Sequence, residues 1–134
     1  MLEKVNHIAI AVPNLSESIS NYKNNFNCVI SKIIKLPIHG VTTAFINLPN
    51  TNIELLEPLG YNSPIKKFLD KHKNGGIHHI CYEVKDIDEA VKRLLKNKCK
   101  ILGDGIPREG AHGKPVIFIH PASFNGTLIE LEQI

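Results

Sequence analysis

The chain has 134 residues, of which 43% are hydrophobic and 22% charged, and its formal net charge is +3. This is the composition of one soluble globular domain. The chain has no apolar run of about 18 residues that could span a membrane. Its lysines are scattered and have no interleaved aromatic residues, which argues against nucleic-acid binding. Three cysteines without C-x-x-C spacing predict neither a disulfide framework nor a zinc knuckle. The N-terminus has no signal-peptide or transit-peptide features, so we expect a cytoplasmic protein.

The first 60 or so residues predict a β-α-β-β-β module. After the first strand, Asn14 and Glu17 have the spacing of a capping box, which predicts the start of a helix. The third and fourth strands read as a hairpin around Pro49-Asn-Thr-Asn52, because β-branched and apolar runs flank turn-forming residues. The strands of this module are predicted at His7–Val12, Val29–Lys35, Val41–Leu48 and Ile53–Leu56.

A connector helix and a second copy of the module follow. Ser63 and Pro64 form a favoured N-cap pair for a helix from Ile65 to His72. The second copy begins 72 residues after the first, where His79 takes the place of His7. The capping-box spacing returns at Asp86 and Glu89. The strands of this copy are predicted at His79–Val84, Lys100–Leu102, Pro115–His120 and Thr127–Leu131.

Two histidines and two glutamates occupy matching positions in the two modules. His7 and His79 open the first strands, and Glu54 and Glu130 lie inside apolar runs of the last strands. A single Glu of this kind could simply face solvent through strand alternation, but the duplicated match favours a buried metal site. Two imidazoles and two carboxylates suit Co²⁺, Mn²⁺, Ni²⁺, Zn²⁺ or Mg²⁺ and leave positions for two substrate oxygens. Such an ion polarises a carbonyl and stabilises an enolate.

Candidate substrate contacts lie in the run Gly110-Ala-His-Gly-Lys-Pro115, which combines flexible backbone with His112 and the cation of Lys114. The run lacks the spacing of a P-loop or a dinucleotide-binding turn. For both side chains a solvated surface role is the alternative.

The paired modules with ligands on their first and last strands resemble the vicinal oxygen chelate superfamily. Over essentially the whole chain, the likeness is to its methylmalonyl-CoA epimerases, and it rests on Ile53-Glu-Leu-Leu-Glu-Pro-Leu-Gly60, Gly76-Ile-His-His-Ile80 and Gly110–Pro121. The resemblance implies an α+β glyoxalase-like fold in which residues 1–134 form one domain. Its two modules, at about 1–60 and 76–134, are joined by a connector helix at about 63–73. Together they are expected to form one curved mixed sheet around a metal site.

The resemblance also implies an enzyme that interconverts (2R)- and (2S)-methylmalonyl-CoA by removing and returning the C2 proton. It implies one divalent ion, with Co²⁺ favoured, held by His7, Glu54, His79 and Glu130. Glu130 is the expected acid/base on one face. Glu54 or a metal-bound water is the candidate for the other, because Thr42-Thr43 stand where some relatives have an acidic residue. We further expect the protein to be a homodimer that acts on a CoA thioester. No nucleic-acid or membrane partner is expected.

Two other functions remain open at this point. A glyoxalase I-like lyase acting on a glutathione hemithioacetal would use nearly the same four ligands. A metal-free binding or resistance module of the same superfamily would lack the ligand set, and metal analysis of the purified protein separates it from the enzymes.

Overall fold

The structure is a computed structural model that describes residues 1–134. Eight strands and three α-helices follow the order β-α-β-β-β, helix, β-α-β-β-β. Short 3₁₀ turns lie at Pro37–His39 and Pro121–Ser123. The main elements are β1 (Leu2–Ala11), α1 (Leu15–Phe26), β2 (Ile34–Leu36), β3 (Val41–Asn47), β4 (Asn52–Pro58), α2 (Pro64–Lys71), β5 (Gly76–Val84), α3 (Ile87–Lys96), β6 (Arg108–Glu109), β7 (Pro115–Ile119) and β8 (Ile129–Gln133).

The second strand of each module differs from the prediction. In the first module only Ile34–Leu36 forms a strand, and Ile30 makes a single bridge to Ile46. In the second module the predicted strand at Lys100–Leu102 is wrong, since only Ile101 bridges to the neighbouring β7. Gly103 and Gly105, with φ of 69° and 74°, turn the chain directly after it. Pairing with β7 therefore resumes only at the two-residue β6.

Two compact units are distinguished along the chain. One contains Met1–His7 and His79–Ile134, and the other contains Ile8–His78. Strands β1 and β5 therefore each begin in one unit and end in the other.

The unit Ile8–His78 is organised around β3, which pairs antiparallel with both β2 and β4. The predicted helix caps are confirmed: Asn14 accepts the backbone N–H of Glu17 at 3.0 Å, and Ser63 caps α2. Both helices then bury an apolar side chain in their first turn, Leu15 of α1 and Ile65 of α2, each only 1% exposed. Burial of each such side chain contributes about 1.5–3 kcal/mol to stability.

In the other unit a mixed sheet forms, with β5 parallel to β8 and β7 antiparallel to both β8 and β6. Helix α3 covers one face of this sheet, and its Ile87 and Leu94 join a cluster with Ile117 and Leu131. Residues on the two faces alternate along each strand. The side chains between the core positions therefore lie on the opposite face, and these are the polar ones: His79, Cys81 and Glu83 of β5, and Glu130 and Glu132 of β8.

No helix in the structure is both long and apolar enough to cross a membrane.

Candidate metal centre

Three of the four predicted ligands meet on the polar face of the mixed sheet. The Oε2 atom of Glu130 lies 2.9 Å from Nε2 of His79 and 3.1 Å from Nε2 of His7. The two imidazole nitrogens lie 3.2 Å apart. All three side chains are buried, with exposures between 2% and 6%. The arrangement is therefore a small triangle of one oxygen and two nitrogens shielded from water.

The triangle has the dimensions of a metal-binding set. Ligand atoms that lie about 2.0–2.2 Å from an ion, at right angles to one another, are about 3 Å apart. This matches the three distances between His7, His79 and Glu130. Mixed imidazole and carboxylate donors are the ones that divalent transition metals accept. The residues present thus fit the ion that the sequence predicted.

The charge state of Glu130 agrees with a ligand role. Burial raises the pKa of this carboxyl, but the hydrogen bonds with His7 and His79 outweigh burial and bring the pKa below its usual range. The group is therefore ionised at neutral pH, as a metal ligand has to be.

Cys81 also lies at this centre, although the sequence indicated only a small buried hydrophobic residue. Its side chain is fully buried, and its Sγ lies within 4.8 Å of the ligand atoms of His7 and Glu130. Cys81 is opposite Glu130 in the parallel β5–β8 register. Strand alternation from His79 was the signal that could have placed it on this face.

A hydrogen-bonded network that sequence reasoning missed adjoins His7. The Oδ1 atom of Asn6 lies 2.8 Å from Nδ1 of His7. The Nδ2 atom of Asn6 donates to Glu83 at 2.9 Å and to Glu132 at 3.1 Å. Glu83 and Glu132 are 7% and 5% exposed. Glu83 lies two residues after Cys81, and Glu132 lies two residues after Glu130, so strand alternation could have placed them on this face. Nothing in the local sequence singled out Asn6.

The two predicted substrate contacts lie in the turn between β6 and β7, which is closed by a 2.8 Å hydrogen bond from Gly110 N to Lys114 O. Nδ1 of His112 lies 3.0 Å from Oε2 of Glu132, and the His112 ring centroid is 6.3 Å from that of His7. Lys114 lies in the same turn and is exposed. The structure therefore brings His112 beside the ligands and leaves Lys114 on the surface.

Glu54, the fourth predicted ligand, lies in β4 within the unit Ile8–His78. Its side chain is 5% exposed and accepts a 2.8 Å hydrogen bond from the hydroxyl of Thr43, which is fully buried on β3. The sequence had considered Thr43 only as too weak a base. In the structure its hydroxyl lies within hydrogen-bonding distance of Glu54 Oε1 and, at 3.0 Å, of the backbone oxygen of Leu55.

Residues 6–118 match the model of one protein family, described as the Glyoxalase/Bleomycin resistance protein/Dioxygenase superfamily. The match covers most of the chain and includes His7, Glu54 and His79.

Several relatives that match over nearly the whole chain are named as epimerases. Ethylmalonyl-CoA/methylmalonyl-CoA epimerase of Cereibacter sphaeroides is 54% identical, and the match covers 100% of both chains. The mitochondrial methylmalonyl-CoA epimerase of Homo sapiens is 52% identical over 98% of this chain and 74% of its own length. Among solved structures, a variant of Streptomyces coelicolor methylmalonyl-CoA epimerase in complex with 2-nitronate-propionyl-CoA superposes with a TM-score of 0.92. That match is 27% identical and covers 99% of this chain and 98% of the other.

Proposed function

The chain belongs to the Glyoxalase/Bleomycin resistance protein/Dioxygenase superfamily, and we infer that within it this protein is an epimerase that interconverts (2R)- and (2S)-methylmalonyl-CoA. The predicted glyoxalase-like fold is confirmed by the family match and by the whole-chain superposition. The observation that carries the function is the convergence of His7, His79 and Glu130 in a chain 54% identical to a named epimerase over its full length.

The metal centre that we propose contains His7, Glu54, His79 and Glu130. The mutual distances support His7, His79 and Glu130 as ligands. Glu54 is supported by its matching position in the repeat and by its burial. Co²⁺ is the ion that the resemblance favours, with Mn²⁺, Ni²⁺, Zn²⁺ and Mg²⁺ as alternatives. When bound, the ion polarises the thioester carbonyl and so acidifies the neighbouring C2–H. Because its ligands come from both modules, we treat residues 1–134 as one functional domain.

Proton transfer at C2 is assigned to the two glutamates. Oε2 of Glu130 contacts both imidazoles, so we assign proton exchange on one face of C2 to its Oε1. Glu54 serves the other face, and the hydroxyl of Thr43 lies 2.8 Å from its Oε1. Each carboxylate alternately removes and returns a proton, as a general base and then a general acid.

Substrate binding is assigned to the turn Gly110–Pro115. The cation of Lys114 is exposed, where it can meet an anionic group of a CoA thioester. The ring of His112, in the same turn, has its centroid 6.3 Å from that of His7. Loops between strands are the usual location of such contacts.

The central experiment is incubation of the Co²⁺-loaded protein with (2S)-methylmalonyl-CoA in D₂O. We expect deuterium at C2 and equilibration of the two epimers, with no turnover of the methylglyoxal–glutathione hemithioacetal. Because the Cereibacter relative is also named for ethylmalonyl-CoA, this thioester is assayed in parallel. Turnover of the hemithioacetal without exchange at C2 of either thioester would contradict the assignment.

A homodimer and a cytoplasmic location are further parts of the proposal. The human relative is named as mitochondrial, so location is tested separately, by fractionation of the source cells. Sedimentation equilibrium tests the dimer: a single species at the mass of one chain would exclude it.

A further inference from the structure

Asn6 connects two buried carboxylates to the imidazole of His7. Its amide nitrogen lies 2.9 Å from Oε1 of Glu83 and 3.1 Å from Oε1 of Glu132, and its amide oxygen lies 2.8 Å from Nδ1 of His7. The three atoms belong to residues distant in sequence, from strands β1, β5 and β8. All of them lie in the unit that also holds His79 and Glu130.

The hydrogen atoms in this network can be placed from chemistry alone. The NH₂ group of Asn6 has two hydrogens, and it donates one to Glu83 and one to Glu132. This fixes the orientation of the amide, which cannot flip without placing its oxygen against two carboxylates. The oxygen of Asn6 therefore faces His7, and it can only accept. Nδ1 of His7 must then be the nitrogen that carries the hydrogen, and it donates to Asn6.

The other ring nitrogen of His7 follows from this placement. A neutral imidazole with its hydrogen on Nδ1 has its lone pair on Nε2. Nε2 is the atom that lies 3.1 Å from Glu130 and 3.2 Å from Nε2 of His79. The tautomer that Asn6 imposes is thus the one that can ligate a cation within the triangle.

We propose that Asn6 is a positioning residue that holds His7 in the tautomer with hydrogen on Nδ1, so that Nε2 is presented to the metal ion. The proposal rests on the ligand role of His7 proposed above. Glu83 and Glu132 act through Asn6, because they fix its amide. Glu132 also pairs with His112, so the same hydrogen bonds link the turn Gly110–Pro115 to the metal ligand.

The test combines Co²⁺ affinity with the ring-nitrogen chemical shifts of His7 in the metal-free protein. Asn6→Leu has a similar volume but no polar atoms, and we expect it to bind Co²⁺ about 10- to 100-fold more weakly, the usual range for loss of such a partner. Its His7 should become a mixture of tautomers.

Asn14→Ala is the matched control, because it removes another asparagine hydrogen bond, the cap of α1, which lies in the unit Ile8–His78. It should lower stability without changing Co²⁺ affinity or the tautomer of His7. The positioning role is overturned if Asn6→Leu binds Co²⁺ as the unchanged protein does, or if Asn14→Ala weakens binding equally.

One measurement does not depend on any variant folding. In the unchanged metal-free protein, nitrogen shifts that leave Nδ1 of His7 without a hydrogen would overturn the inference. Failure of the proposed function has a different signature: the unchanged protein then binds no Co²⁺ at all, and the positioning role fails with it. If Co²⁺ binds normally and only the tautomer or the Asn6→Leu variant disagrees, the metal centre stands and this inference alone is wrong.

Discussion

Glu54 and Glu130 occupy equivalent positions in the two modules, yet their surroundings differ. Each lies in the last strand of its module and faces a phenylalanine of the preceding strand, Phe45 in one case and Phe118 in the other. Both carboxylates are buried. Glu130 contacts two imidazoles, whereas Glu54 accepts a hydrogen bond from the hydroxyl of Thr43.

The residue two positions before each phenylalanine explains part of this difference. In the first module it is Thr43, a donor, and in the second it is Val116, which has no polar side-chain atom. The duplication therefore preserved the position of the carboxylate, while the hydroxyl donor occurs only in the first module. Burial raises the pKa of Glu130, but its hydrogen bonds with His7 and His79 have the larger effect and lower the pKa below its usual range. A repeated fold thus gives two like groups different hydrogen-bonding surroundings.

The largest effect is expected from His79→Ala, which removes one corner of the triangle. Co²⁺ affinity should fall by more than about 100-fold, beyond the range seen when only an outer partner of a ligand is lost. Isothermal titration with Co²⁺ measures this. His78→Ala is the control, since His78 packs with Phe68 at a centroid distance of 5.0 Å. Equal affinity in the two variants would contradict a ligand role for His79.

The comparison of the two glutamates is tested directly by Glu130→Gln and Glu54→Gln. Each should lower the rate of epimerisation by at least about 10²-fold, since each removes one of the two bases. The two variants should differ in which epimer still exchanges its C2 hydrogen for deuterium. If both variants exchange the same epimer, or if either epimerises at the rate of the unchanged protein, the assignment to opposite faces is wrong.

Removal of the metal should lower thermal stability, because an ion that binds only the folded state stabilises it by mass action. At a free Co²⁺ concentration 100 times the Kd, the gain is about 2.7 kcal/mol. For a domain of this size, that corresponds to a Tm shift of about 10 °C. Calorimetry with and without a chelator measures it, with the His79→Ala variant as a control that should not respond. Identical melting temperatures for the unchanged protein would refute metal binding.

Thr43→Val makes the first module resemble the second at this position. It leaves Oε1 of Glu54 without the hydroxyl that lies 2.8 Å away, at an expected cost of about 1–3 kcal/mol in the free energy of unfolding. Thr43→Ser keeps the hydroxyl and is the matched control. Denaturant unfolding compares them. A Val variant as stable as the unchanged protein would show that the hydroxyl does not support Glu54.

The smallest effect is expected from Lys114→Ala. If the cation contributes binding that is equal in the ground and transition states, KM rises and kcat changes little. Steady-state kinetics with methylmalonyl-CoA measure both constants, and Lys73→Ala, at another exposed lysine, is the control. A fall in kcat with an unchanged KM would remove Lys114 from the substrate-binding assignment.

Local features of the sequence were sufficient for the modules, the helix starts and the ligand positions. Asn14 and Asp86 cap their helices as predicted, because a cap is decided within four residues of chain. His7, His79 and Glu130 were identified because strand alternation has a period of two and the module occurs twice. The short strands were not predictable in the same way. Their extent depends on pairing with β3 and β7, and the Lys100–Leu102 prediction failed where Gly103 turns the chain away.

Only the tertiary structure decided which polar groups support the ligands. Asn6 is separated by 77 residues from Glu83 and by 126 residues from Glu132, so no local pattern relates them. The same holds for the hydroxyl of Thr43, which reaches Glu54 because the β3–β4 hairpin brings them together across the strand register. Buried polar atoms need partners wherever the fold places them. Sequence periodicity fixes the face on which such a group lies, and the folded chain supplies its partner.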